Sequence, residues 1–159
     1  MARSDAEIRV TPSVLDRLLD YDPQEKQEAP KSRSAGLQDL RLAVRRDLEW
    51  LLNTRCHAES VDGELEEAKR SLAFYGLPDI MGVNAKNHIE QQRLTKALET
   101  SIRNFEPRFK NLKVTMEPID SVDRQLKFRI EASLDIEPTP EPIVFDTVLE
   151  MGSGEFSII

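Results

Sequence analysis

Gln125-Leu126-Lys127-Phe128-Arg129-Ile130-Glu131-Ala132-Ser133-Leu134-Asp135-Ile136 alternates polar and apolar side chains without a break. Successive side chains of a strand point to opposite faces, so this stretch predicts a strand with one buried and one solvated face. The pattern continues toward the C-terminus. Pro-rich Glu137–Pro142 reads as a connection, Ile143–Met151 as the next strand, Gly152-Ser153-Gly154 as a hairpin turn and Glu155–Ile159 as a fourth strand. Upstream, Leu112, Val114 and Met116 alternate with polar residues until Pro118.

Before residue 106 the apolar period changes from two to between three and four. Leu37, Leu40, Val44, Leu48 and Leu51 form one helical stripe, with Arg45, Arg46 and Glu49 on the other side. Asp62–Ala73 predicts a second helix with Leu65, Ala68 and Leu72 facing in, stopped by Gly76 and Pro78. A third runs from a capping Asn87, with Glu90 completing a capping box, to about Asn104. Its stripe is Leu94, Ala97, Leu98, Ser101, Ile102 and Phe105, and Pro107 prevents continuation. Near the N-terminus Thr11 is placed to cap and Pro12 to open a short helix carrying Val14, Leu15, Leu18 and Leu19. Asp22–Ala35 has no apolar period and reads as a linker. Helices first and strands last predict an α+β fold, with N-terminal helices packed on a C-terminal antiparallel sheet of about four strands. The chain divides into residues 1–35, a short helix with a flexible linker, and residues 36–159, the folded domain.

The net charge of −7 argues against a nucleic-acid binder, which would present a basic face to phosphates. No apolar run approaches the roughly 20 residues that span a bilayer, and no apolar segment follows the charged start as in a signal peptide. Catalytic candidates are weak. Glycosidases need two carboxyl groups in tuned surroundings, and no acid sits within an aromatic cluster; Trp50 is the single tryptophan. Cys56 and His57 are sequence neighbours, which seldom face each other, and His57 with His88 lacks metal-ligand spacing. No catalytic residue, metal ligand or cofactor is assigned.

Two features point instead to partners. In Glu106-Pro107-Arg108, Pro107 breaks the helix, and an extended chain would direct Glu106 and Arg108 to the same side. They either pair with each other or leave Arg108 as a planar fork for a partner's carboxylate. The second is the apolar end Phe156-Ser157-Ile158-Ile159, an edge strand that invites pairing with another chain unless covered.

The chain resembles the TssE family of type VI secretion baseplate subunits. That family is similar to the small wedge protein of contractile phage tails and is often labelled lysozyme-like. The resemblance rests on Pro12–Asp20, Arg46–Arg55, Tyr75-Gly76-Leu77-Pro78-Asp79, Phe105-Glu106-Pro107-Arg108 and Val144-Phe145-Asp146-Thr147 in that order. It implies a non-enzymatic structural subunit, cytoplasmic at a baseplate docked on the inner membrane. The implied partners are TssF, TssG and TssK together with the TssB/TssC contractile sheath. Expected partner contacts are Glu106, Pro107 and Arg108, the strand residues Phe156, Ile158 and Ile159, and the helix residues Val14, Leu15 and Leu18. On this reading a sheath subunit exchanges a strand at a free C-terminal rim, and Arg108→Glu leaves a folded monomer that cannot start a sheath. The alternatives are a peptidoglycan hydrolase, which a zymogram would reveal, and an anti-adaptor-type regulatory protein, which pull-down partners would reveal.

Overall fold

A computed structural model describes residues 10–19, 23–24, 32–57, 65, 67–80, 87–117 and 125–159. The elements run α1 (Val14–Leu18), α2 (Arg33–Leu52), two 3₁₀ turns (Ala68–Arg70 and Leu72–Phe74), α3 (His88–Phe105), β1 (Phe109–Met116), β2 (Gln125–Leu134), β3 (Glu141–Glu150) and β4 (Phe156–Ile158). The four strands form one antiparallel sheet in the order β1-β2-β3-β4, so the α+β expectation holds.

The alternation in β2 is the reason for the two layers. Leu126, Phe128, Ile130, Ala132 and Leu134 are all buried, beside Ile143, Phe145 and Leu149 of β3 and Phe156 and Ile158 of β4. Leu40, Val44, Leu48, Leu51 and Leu52 of α2, with Leu94, Leu98 and Ile102 of α3, complete the same core. The sheet's other face is charged and wet: Arg129 reaches Asp146 across the strands at 2.8 Å. Such exposed pairs contribute little stability.

Several boundaries differ from the sequence reading. The first cap is Ser13, whose hydroxyl accepts from the Asp16 N–H, and not Thr11. α2 begins at Arg33, inside the segment read as linker, because Ser32 caps it by accepting from the Ala35 N–H. No regular helix covers the described part of 62–73. Leu65, ahead of the two 3₁₀ turns, is 56% exposed and Leu72, in the second turn, 86%, so those leucines do not face in. The 3/4 spacing there reflects short turns on the surface, where apolar periodicity carries no packing. The strand read from Leu112 begins at Phe109. Asn111 has φ 54° and the register with β2 shifts between Lys110 and Lys113, a bulge that breaks the alternation.

Candidate functional site: a charged corner and a capped rim

Pro107 ends α3 as expected, with Glu106 as its C-cap residue. The Glu106 N–H still donates to the Ile102 carbonyl at 2.8 Å, and the Phe109 N–H donates to the Glu106 carbonyl at 3.2 Å, so the chain turns tightly here. That turn sets Glu106 and Arg108 on one side. Glu106 is 4% exposed. Arg108 Nε donates to Glu106 Oε1 at 2.6 Å, and Arg108 Nη2 donates to Glu106 Oε2 in a short fork-like pair. The Arg108 backbone N–H donates to Glu106 Oε1 as well, at 3.2 Å.

The pair does not stand alone. Arg108 Nη2 also reaches Asp47 Oδ2 on α2 at 2.7 Å. Asp47 Oδ1 accepts from Arg46 Nε and Nη2 at 3.1 and 2.8 Å, and Arg46 Nη2 bridges to Asp16 Oδ1 of α1 at 2.9 Å. Charges alternate along the whole chain Asp16–Arg46–Asp47–Arg108–Glu106, which ties α1, α2 and the end of α3 together. Burial alone would weaken the Arg108 cation, but Glu106 and then Asp47 outweigh it, so its pKa lies above the usual guanidinium value. The Asp47 hydrogen bond and then Asp16 likewise hold Arg46 above its ordinary value, against burial. One group is left over: among the described residues Arg108 Nη1 is buried and has no hydrogen-bond partner. An unmet buried donor is costly and calls for an acceptor.

An open hollow of about 400 Å³ lies at this corner, lined in part by Trp50, Leu51, Tyr75, Phe105 and Pro107. Tyr75 packs edge-on against Phe105 with ring centres 5.3 Å apart. Burial first, then the Asp47 and Glu106 charges, raise the Tyr75 pKa and keep its hydroxyl protonated. Trp50 is 53% exposed and carries the Arg46 guanidinium 5.0 Å from its ring centre.

α1 is pinned beside the hollow by charge. Ser13 Oγ donates to Asp16 Oδ2 at 2.6 Å, and Asp16 faces Arg46. Burial pushes the Asp16 carboxyl up, but Ser13 and Arg46 together bring it below its ordinary 3.8. The linkage sign follows. A group that titrates lower when folded adds stability above its unfolded value, and that stability is lost as the pH falls through the folded value. The stability that the pair lends α1 is therefore present at neutral pH and lost as the pH falls through the folded value, which lies below 3.8. Asp16→Ala should release it at neutral pH, lowering stability by about 1 kcal/mol or less and opening residues 10–19 to limited proteolysis. Unchanged cleavage would contradict this pin. None of the five α1 residues is buried; Val14 and Leu18 are 72% and 75% exposed and Leu15 41%.

At the C-terminus the structure corrects the reading of a free rim. Phe156 and Ile158 are 2% and 1% exposed because their side chains complete the chain's own core; Ile159 is 76% exposed. Ser157 pairs with Val148 of β3, so the backbone groups of Phe156 and Ile158 point outward. Side chains of α2 meet them. Asn53 Nδ2 donates to the Phe156 carbonyl at 2.9 Å, and the Phe156 N–H donates to Asn53 Oδ1 at 2.8 Å. The Ile158 N–H donates to Glu49 Oε1 at 3.3 Å, and Arg45 Nη2 donates to the Ile158 carbonyl.

The sequence set Glu106 and Arg108 on one side and left open whether they pair, and it missed Asp47, Arg46 and Asp16. Asp47 sits at i+3 from Val44 and i−4 from Leu51, on the flank of the apolar stripe. A charge at that position needs a partner, and that was the available signal. Cys56 and His57 hold a loop through their backbones: the Cys56 N–H donates to the Leu77 carbonyl and the His57 N–H to the Ala73 carbonyl. Among the described residues no three metal-ligating side chains come together, and no helix is long and apolar enough to cross a membrane.

Fold and corner define a small two-layer α+β domain closed by a charge chain. Residues 38–139 match the family model described as baseplate wedge protein gp25. That span is more than half of the chain, and the chain belongs to this family of baseplate wedge proteins. A chain of a solved structure described as the baseplate complex from the type VI secretion system aligns at 19% identity and a TM-score of 0.48, covering 70% of this chain and 94% of that one. No curated protein matches the chain.

Proposed function

We propose that the chain is a structural, non-catalytic wedge component of a type VI secretion baseplate. It assembles with TssF, TssG and TssK on the cytoplasmic side of the inner membrane and starts the TssB/TssC sheath. Two surfaces serve these contacts. One combines Val14, Leu15 and Leu18 of α1 with Trp50 and the Glu106-Pro107-Arg108 corner. The other is the exposed Ile159 at the C-terminal end of β4.

The observation that carries the reading is the state of α1. A five-residue helix is too short to persist alone, and here it is held by the Asp16–Arg46 pair while its apolar side faces solvent. A helix kept in place by charge with its apolar face uncovered is a presented surface. It lies beside Arg108, whose Nη1 has no hydrogen-bond partner among the described residues. Val14→Asp with Leu18→Asp tests this, because both positions are exposed and surface changes stay within about 0.5 kcal/mol. The variant should keep the wild-type urea midpoint and lose co-purification of TssF and TssG. Capture equal to wild type would refute the surface.

A further inference from the structure

Most polar groups around the hollow at the charged corner are already spent. Ser13 Oγ serves Asp16, and both oxygens of Asp47 and of Glu106 accept from arginine nitrogens. Arg108 uses Nε and Nη2 on those carboxylates, and its Nη1 is buried. No nitrogen of Arg108 is therefore both free and open to an incoming group. Tyr75 differs. Its hydroxyl has no hydrogen-bond partner among the described residues, and burial together with the Asp47 and Glu106 charges keeps it protonated, as a donor.

The remaining lining is apolar and held in place. Leu48 and Leu51 belong to the core, Tyr75 stands edge-on against Phe105, and Trp50 forms a half-exposed wall with Arg46 on its ring. The space between them, about 400 Å³, admits a large side chain with part of its backbone. We infer that this hollow seats an uncharged, large apolar side chain of another wedge protein, whose neighbouring backbone carbonyl accepts from the Tyr75 hydroxyl. This rests on the wedge reading above and names the chemistry that its corner surface takes.

Charge decides the occupant. A partner's carboxylate would come to rest beside Asp47 and Glu106, and a partner's lysine or arginine beside Arg108 and Arg46. Either would lose its water and find the opposite charges already paired, a costly exchange. An uncharged side chain covers the apolar lining and leaves the charge chain intact. The seat is already formed, so little ordering opposes its filling. The guest belongs to another protein, because a net charge of −7 on each chain opposes pairing of two copies. The arginine of the corner then shapes the seat rather than gripping the guest.

The test compares the full-length wild-type chain with Trp50→Lys, Trp50→Glu and Tyr75→Phe. The probe is the purified TssF–TssG complex, with affinity read by biolayer interferometry and self-association by sedimentation. Trp50 is half-exposed, and Tyr75→Phe keeps the ring against Phe105, so urea midpoints should stay near wild type; Trp50→Gln replaces a charged variant that fails to fold. Both charged variants are expected to bind at least about tenfold more weakly, whatever the sign of the new charge. Tyr75→Phe is expected to bind about three- to tenfold more weakly, the range of one hydrogen bond. Tighter binding with one sign and weaker with the other would mean a charged guest and overturn the uncharged one. Wild-type affinity in all the variants would overturn the seat and leave the wedge reading standing. No binding by the wild-type chain would overturn the wedge reading and the seat with it. Self-association that the Trp50 variants abolish would overturn the choice of another protein.

Discussion

Arg108→Glu is expected to unfold the domain or to destabilise it by at least about 3 kcal/mol, the range for removing one partner of a buried ion pair. This reverses the expectation from sequence that the variant leaves a folded monomer. Glu106 is 4% exposed, and its side chain is satisfied by Arg108 from three nitrogens. The substitution removes two of the three and places a third carboxylate beside Glu106 and Asp47. Like charges in a half-buried site repel in a low dielectric. Arg108→Lys separates charge from shape: it keeps the cation but loses the fork that serves Glu106 and Asp47 together. It should therefore fall between wild type and Arg108→Glu in urea titrations. A midpoint for Arg108→Glu within error of wild type would show that the corner is not part of what holds the monomer together. Loss of assembly in Arg108→Glu is consequently no evidence for a lost partner contact, and the α1 surface is the cleaner place to look for one.

Gly76→Ala should cost a similar amount. Gly76 has φ 108°, a region that side chains other than glycine rarely occupy. An added Cβ would sit 2.2 Å from the Thr54 carbonyl oxygen and 2.7 Å from its carbon, both backbone atoms with no rotamer to change. The Thr54 carbonyl accepts the Leu77 N–H at 2.8 Å, and the Cys56 N–H returns to the Leu77 carbonyl at 2.8 Å. Ser101 Oγ fixes the Gly76 carbonyl from α3 at 2.8 Å. Relieving the clash means opening this joint between the end of α2 and the middle of α3. Strain and lost bonding together give about 3 kcal/mol or more. Tyr75, next in the chain, would also shift off Phe105 and loosen the hollow beside Arg108. Thermal unfolding of Gly76→Ala measures this, and a midpoint equal to wild type would contradict the close approach.

Local rules made the β-sheet and α3 legible. β2 has one wet and one dry face along its whole length, so period two could not be mistaken, and Asn87 caps α3 by accepting from the Ile89 N–H as its residue type suggests. The same rules failed where packing was absent or the backbone departed from the regular. Leu65 and Leu72 have helical spacing yet touch no core. Asn111 in a left-handed conformation hides the first residues of β1. The functional corner was half legible. Glu106 and Arg108 are two residues apart, but Asp47 is 61 residues from Arg108, and only the fold brings it there. The rim was misread for the same reason. Phe156 and Ile158 look like a sticky edge in sequence, while the side chains that cap it lie over 100 residues earlier. Arg45, Glu49 and Asn53 at intervals of four form a polar stripe, and nothing local says that it faces a strand.

Hydrogen exchange on the chain alone and in the assembled wedge bears most directly on whether it works by presenting surfaces. Protection gained at residues 13–19, at Trp50 and at 106–108, with the core strands unchanged, is the expected result. An assembled wedge in which those segments exchange as fast as in the free chain would contradict it.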